Sequence, residues 1–235
     1  MSSSRSPGKV LSDIEGKPML IRQLERLRNS LKDIPIICLT SDDNSDDQIE
    51  KSCKKNNFLC FRGSLNNVLK RYIDAIDYYK INNIVRVGGD DPLVDPDACN
   101  LVIEEHKKSN ADFIYTSHKN GWPFGTACEL ISSSSLNDMA KKKNLSNLYQ
   151  EHIIPWFHDN PNLFKIIKIY SPKNICRPNY YFSVDYPEDI QLIRNIYKKL
   201  KHLGDYFSFQ DVINLCDEDP KILEINKHLH TGFDF

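Results

Sequence analysis

Ser3, Ser4, Arg5, Gly8 and Lys9 fall within one short segment, MSSSRSPGKVL, that runs into the apolar Val10 and Leu11. Hydroxyls, backbone N–H groups and two cations this close together are the ingredients of a loop that cradles phosphate. The plainer account is a solvated, disordered terminal segment, where Ser, Arg and Lys often collect. Arg5 and Lys9, taken as exposed loop cations, should then add little to stability whatever they bind. Two acidic turns have comparable promise. Thr40-Ser41-Asp42-Asp43 and Gly88-Gly89-Asp90-Asp91-Pro92 each follow an apolar run, placing Ser41, Asp42 and Asp90 where a strand gives way to a loop. Asp90 also suits an ordinary turn. Asp185 suits the cap of a helix entered through Pro187 with Glu188 and Asp189 in its first turn, and capping does not bar metal binding.

The elements that would position these residues alternate along the chain. Leu20, Leu24, Leu27 and Leu31 share one helical face after Pro18, and the run Ile34 to Leu39 predicts a strand. A helix near 46–57, a strand over 58–61 and a helix with Val68, Leu69, Tyr72, Ile73 and Ile76 inward lead to the strand over 84–87. Helix 96–109 and strand 113–116 repeat the unit. Strands alternating with helices of this length give a mostly parallel sheet covered on both faces, an α/β/α three-layer sandwich. Ligands of such sheets bind at the carboxyl ends of strands, where the two acidic turns lie. Further on, the spacing predicts a strand over 127–131, a helix opened by the serines 132–135, and a helix over 146–158. Strands over 165–170 and, aromatic, over 180–184 follow, then a helix over 187–202 and short helices near 208–216 and 220–229. No repeat or composition break divides residues 1–235, which form one domain.

With 235 residues, 40% hydrophobic and 27% charged, the chain can bury a sizeable core. Thirty-one basic against 32 acidic side chains leave formal charge −1, so there is no general basic field to hold nucleic acid. The absence of a long apolar run or signal-peptide pattern predicts a cytoplasmic protein without a membrane span. Seven cysteines at 38, 53, 60, 99, 128, 176 and 216 show no zinc spacing, so reduced core thiols are the expectation.

Several segments together resemble one family. They are SSSRSPGKVL with Ile14-x-Gly16-Lys17-Pro18-Met19, Arg62-Gly63-Ser64 with Val68-Leu69-x-Arg71-Tyr72, and Val85-Arg86-Val87-Gly88-Gly89-Asp90-Asp91-Pro92-Leu93-Val94-Asp95-Pro96. Downstream, Glu151-His152-Ile153-Ile154-Pro155, Ser183-Val184-Asp185-Tyr186-Pro187-Glu188-Asp189 and the tail 220–226 continue the match. In this order the chain resembles the cytidylyltransferases of acidic-sugar activation (acylneuraminate and 3-deoxy-manno-octulosonate), in the branch like spore coat polysaccharide biosynthesis protein F.

The resemblance implies a nucleotide-diphospho-sugar transferase fold and transfer of CMP from CTP to a sugar with release of pyrophosphate. It implies magnesium as cofactor, with Asp90 and Asp185 as metal ligands, and catalytic roles for Arg5, Lys9 and Asp90. Ser3, Ser4, Arg5, Gly8, Lys9, Ser41 and Asp42 would hold the nucleotide. Arg71, Glu129, Glu151 and His152 would face the sugar, although each could instead be an ion-pair partner or a surface residue, Glu129 pairing for instance with a lysine. Asp91 is expected as a supporting or solvated group. The resemblance allows a homodimer.

The sequence also departs from that pattern. Relatives begin with a further apolar strand ending in Gln-Ala-Arg just before the position of Met1, so a central strand is expected to be lacking and an apolar slot left in the sheet. A gene model started at an internal methionine, or a natively shortened and poorly active chain, would account for this. Ser2 stands where glycine is common and Ser6 where leucine is. Two alternative functions follow: a catalytically silent binding or scaffold subunit, and a glycosyltransferase of the same general fold. The latter would use an Asp-x-Asp motif, which Asp95-Pro96-Asp97 spells, although its proline and helix-opening position suit a cap better.

Overall fold

The computed structural model describes residues 7–230, so the assignments to Ser3, Ser4 and Arg5 lie outside the described residues. A turn of 3-10 helix over Lys9–Leu11 leads to β1 (Asp13–Ile14) and β2 (Lys17–Pro18), which pair antiparallel. α1 (Met19–Ser30) starts directly after Pro18, and the leucines spaced by three and four residues are all buried. β3 (Ile37–Ser41), α2 (Asp47–Lys55), β4 (Leu59–Gly63), α3 (Val68–Tyr79), β5 (Asn83–Val87) and α4 (Pro96–Ser109) then alternate. α4 has the bounds that its end signals specify. The Asp95 side chain accepts from Asp97 N, Pro96 opens the first turn, and Asn110 closes the helix in the left-handed conformation.

The second half comprises β6 (Phe113–Tyr115), β7 (Cys128–Ser132), α5 (Ser133–Ala140), α6 (Asn147–Glu151), α7 (Ile153–Asp159), β8 (Ile166–Lys168), α8 (Pro187–Leu200), α9 (Phe209–Glu218) and α10 (Glu224–Lys227). Ser132 caps α5 by accepting from Ser135 N. The helix expected over 146–158 is two helices. Pro155 has no N–H to give and its ring crowds the carbonyl four residues back, that of Glu151, where α6 ends. The aromatic stretch 180–184 is not a strand; it makes a single bridge, Phe124 to Tyr181, and spends its rings on stacking, with Phe124 and Tyr181 centroids 4.5 Å apart.

The sheet is mixed. β3 and β4 are parallel, and β5, β7, β6 and β8 lie side by side in that order. β8 runs parallel to β6, while β7 is antiparallel to both β5 and β6. The departure from a mostly parallel ladder has a local cause: no crossover helix separates β6 from β7, and a return without one reverses the strand.

Alternation along β6 and β7 sends neighbouring side chains to opposite faces. Ile114 and Leu130 join a core with Met19, Leu27, Val102, Ile193 and Val212, from α1, α4, α8 and α9. Phe113, Tyr115 and Ile131 join another with Leu69, Ile76, Leu136 and Phe157, from α3, α5 and α7. Helices therefore cover both faces. A third cluster, Leu20, Ile21, Leu24, Cys38, Ile49, Cys53 and Phe58, lies around β3 and α2. No helix among the described residues is long and apolar enough to cross a membrane.

Between β3 and β5 no ladder forms among the described residues. A cleft of about 420 Å³ separates them, lined by Ile37, Cys38 and Leu39 on one side, Ile84, Val85 and Val87 on the other, and Leu24 and Leu27 of α1. This is the apolar slot expected in the sheet.

Candidate active site at the carboxyl end of β5

β5 ends at Val87, and the turn Gly88-Gly89-Asp90-Asp91-Pro92 begins there. Gly88 is required by space: a Cβ at this position would run into the Asp91 carboxylate and approach Asp90 Oδ1 at 2.8 Å. Its absence lets both carboxylates fold back over the turn. From α1, the buried Gln23 amide holds the turn by donating to Gly88 O and, at 3.1 Å, to Asp91 O. Val184 N donates to Asp90 O at 2.8 Å, which ties the turn to the segment before α8 and brings Asp185 alongside Asp90.

Lys9 enters this junction from the other end of the chain. Gly8, in the left-handed conformation, turns the chain into the 3-10 helix and points the Lys9 side chain inward, where it is 10% exposed. Its Nζ lies 3.0 Å from Asp90 Oδ2 and 3.3 Å from Asp185 Oδ1, and donates to Val184 O as well. The expectation that Lys9 is an exposed loop cation is therefore corrected: it is a buried ammonium shared by two carboxylates. Of the two expectations for Asp91, supporting or solvated, its half-buried place beside Asp90 fits the first; burial first, then the Asp90 charge, push its carboxyl up to about 7.

Asp185 does not cap α8. Tyr186 is the N-cap residue, and the Asp189 carboxylate accepts from Asp185 N and Tyr186 N at 2.8 Å each. The Asp185 carboxylate is thereby left to the site, where Tyr181 Oη donates to its Oδ2 at 2.8 Å. Asp189 is itself only 1% exposed; its Oδ1 accepts from Asn226 Nδ2 and contacts His230 Nε2, both at 2.8 Å. His230 stacks on Tyr181, closing the network. Tyr181, Asp189, Asn226 and His230 were not singled out from sequence as site residues. Asp189 announced itself only as a first-turn acid, and nothing local joins 189 to 226 and 230.

The other expected positions divide. Arg86 and Glu129 are register partners on β5 and β7, and Arg86 Nη1 donates to Glu129 Oε2 at 2.9 Å, so Glu129 pairs with an arginine rather than a lysine. Burial works against the Arg86 charge, but the Glu129 carboxylate outweighs it and the net shift is upward. Arg71, on α3, packs its stem on Gly63, and its buried Nε has no hydrogen-bond partner among the described residues. Ser41 bonds inward to Asp46, its N at 2.9 Å and its Oγ at 2.6 Å from Oδ2; Asp42 N donates to Gly63 O, with its side chain exposed. Their hydrogen bonds thus order the β3–β4 end rather than the Lys9 group. Glu151 and His152 are exposed at the α6–α7 junction. Asp95 is buried as the α4 cap, as its proline neighbour suggested.

A helix-covered α/β sheet with carboxylates and an ammonium gathered beyond the end of β5 fits a nucleotidyltransferase-type fold. The chain belongs to the cytidylyltransferase family, whose model matches residues 1–221, and it is a nucleotidyltransferase enzyme. It is 31% identical over 224 residues to the spore coat polysaccharide biosynthesis protein SpsF of Bacillus subtilis (strain 168), covering 94% of this chain and 92% of that protein. The structure of a cytidylyltransferase from Leptospira borgpetersenii is similar with a TM-score of 0.87 at 29% identity, covering 95% of this chain and 92% of that one. CMP:2-keto-3-deoxy-manno-octonic acid synthetase, solved with CTP, shares the fold at a TM-score of 0.62 and 13% identity, over 84% and 95% of the two chains.

Proposed function

We propose that this enzyme transfers CMP from CTP to an acidic or related sugar destined for a surface polysaccharide. The observation that carries this reading is the convergence of Lys9, Asp90 and Asp185, from three distant parts of the sequence, on one point beyond β5. In the reaction a sugar hydroxyl oxygen attacks the α-phosphorus of CTP. A phosphorus–oxygen bond to the sugar forms, the bond to the bridging oxygen of the β-phosphate breaks, pyrophosphate leaves, and the hydroxyl proton passes to solvent. The attacked phosphorus is screened by negative oxygens, so the site must supply positive charge and in-line positioning. Lys9, rigidly held, supplies one charge; Arg5 and the Ser3–Ser4 segment are candidates to supply more phosphate contacts.

The donor set also fits magnesium. Asp90 and Asp185 are hard oxygen donors already directed at a single cation, the Lys9 ammonium. Asp90 and Asp185 would hold the ion, which would draw charge from the phosphate oxygens. Asp189, through the two backbone N–H groups it accepts, fixes Asp185 in direction. Arg71, with its unpartnered Nε, is suited to a substrate anion such as a sugar carboxylate. Glu129, Glu151 and His152 are further candidates to meet the sugar. The burial of Asp95 as a helix cap speaks against the glycosyltransferase reading, because it withdraws the first carboxylate of that motif.

Incubation with CTP, magnesium and a panel of acidic sugars should release pyrophosphate, and Asp90→Ala should lower turnover by at least about a hundredfold while the circular dichroism stays native. Pyrophosphate release from no sugar in the panel, or normal metal-dependent turnover in Asp90→Ala, would overturn the assignment.

A further inference from the structure

Cys38, Cys53 and Cys60 meet although no spacing in the sequence joins them. Cys38 on β3 and Cys60 on β4 are register partners in a parallel pair, so their side chains emerge side by side on one face. α2 lies across that face, with Cys53 fully buried beneath it. The three Sγ atoms all fall within 4.8 Å of one another. Three sulfurs bound to one ion at about 2.3 Å would be separated by about 3.8–4.0 Å, so a small side-chain adjustment suffices.

We propose that Cys38, Cys53 and Cys60 form a three-thiolate site for a soft d10 metal ion of the Zn²⁺ and Cd²⁺ class, separate from the carboxylate site beyond β5. Such ions impose little geometry of their own and accept sulfur ligands, whereas magnesium demands oxygen. The surroundings are apolar, Leu20, Ile21, Leu24, Ile49 and Phe58, and no His, Asp or Glu among the described residues joins the cluster. The protein thus supplies three ligands and leaves a further position open. Cys60 is only half-buried, on a strand at the sheet edge among the described residues, which gives an entry route. Binding would release protons from the thiols and clip α2 to β3 and β4.

Three thiols packed as small hydrophobes in a core are the competing account. Titration of the reduced full chain with Cd²⁺ separates the two. One equivalent should bind with sulfur-to-cadmium charge-transfer absorption, Zn²⁺ should displace it, and magnesium should not. Cys53→Ser and Cys60→Ser should each weaken Cd²⁺ binding at least about tenfold, while Cys176→Ser, at an exposed cysteine, should leave it unchanged. Bound Cd²⁺ should also slow alkylation of Cys60 by iodoacetamide at least about tenfold in the unsubstituted protein, a readout that holds even if Cys53→Ser fails to fold. No stoichiometric charge-transfer band, a band that survives Cys60→Ser, or unprotected Cys60 would overturn the proposal.

Discussion

Lys9 Nζ and Asp90 Oδ2 lie 3.0 Å apart although 81 positions separate them in the chain, and Asp185 is 3.3 Å from the same ammonium. One buried cation thus holds together the ends of three segments. A salt bridge exposed to water contributes little, but removing one partner from a buried cluster leaves the others uncompensated.

Lys9→Met should therefore lose both activity and stability. The expected cost is about 3 kcal/mol, the lower end for a buried pair because Asp90 is partly open to water. Chemical denaturation of the variant checks this. An unchanged midpoint would mean that the ammonium is as dispensable as a surface lysine.

Asp189→Ala should act at a distance from the reacting atoms. It removes the acceptor for Asp185 N, Tyr186 N and Asn226 Nδ2 and the partner of His230, at a combined cost of about 3–4 kcal/mol. In the fraction that remains folded, the magnesium concentration needed for half-maximal turnover should rise, since Asp185 loses its fixed direction. Full stability together with an unchanged magnesium requirement would argue against this arrangement.

Asp95 should make stability fall as pH rises. Burial lifts its carboxyl from 3.8 to about 6, so between these values the folded chain keeps a proton that the unfolded chain has released. Unfolding then releases a proton, and the free energy of unfolding declines by about 2–3 kcal/mol from pH 4 to pH 6, levelling above. Asp95→Asn keeps an acceptor for the α4 cap and should flatten this part of the profile. Denaturant midpoints measured across the range in both proteins test it.

Gly88→Ala should disturb the site more than the fold. The added methyl would collide with Asp91 and crowd Asp90, both at the mobile ends of side chains, so the backbone can stay in place while the carboxylates swing away. Turnover should fall at least about tenfold with a melting temperature within a few degrees of the parent. Kinetics and melting on the same preparation distinguish this from general unfolding.

The residues differ in how far sequence alone could reach. α4 was legible to its ends because Asp95, Pro96 and Asn110 each act within a turn of the helix. Asp90 was legible as a site candidate because a strand-to-loop junction is a local pattern. The aromatic run 180–184 misled, since rings that favour strands are here used for stacking on Phe124 and His230. The break at His152 followed from Pro155 and could have been found. The inward turn of Lys9, the reach of Asn226 and His230 to Asp189, and the meeting of the three cysteines depend on tertiary neighbours that no local pattern encodes.

The cleft between β3 and β5 divides the ladder into two hydrogen-bonded blocks among the described residues. α1 and α3 join them: α1 gives Met19 and Leu27 to one core and Leu20, Ile21 and Leu24 to the other, and α3 packs on β3 and β4 as well as on α5 and α6. Cooperativity between the blocks then rests on side-chain packing by those two helices. Amide hydrogens of β3 and β4 should exchange with solvent as one group, through an opening that leaves β6 and β7 protected, so the β3–β4–α2 block behaves as a foldon of lower stability within a single chain.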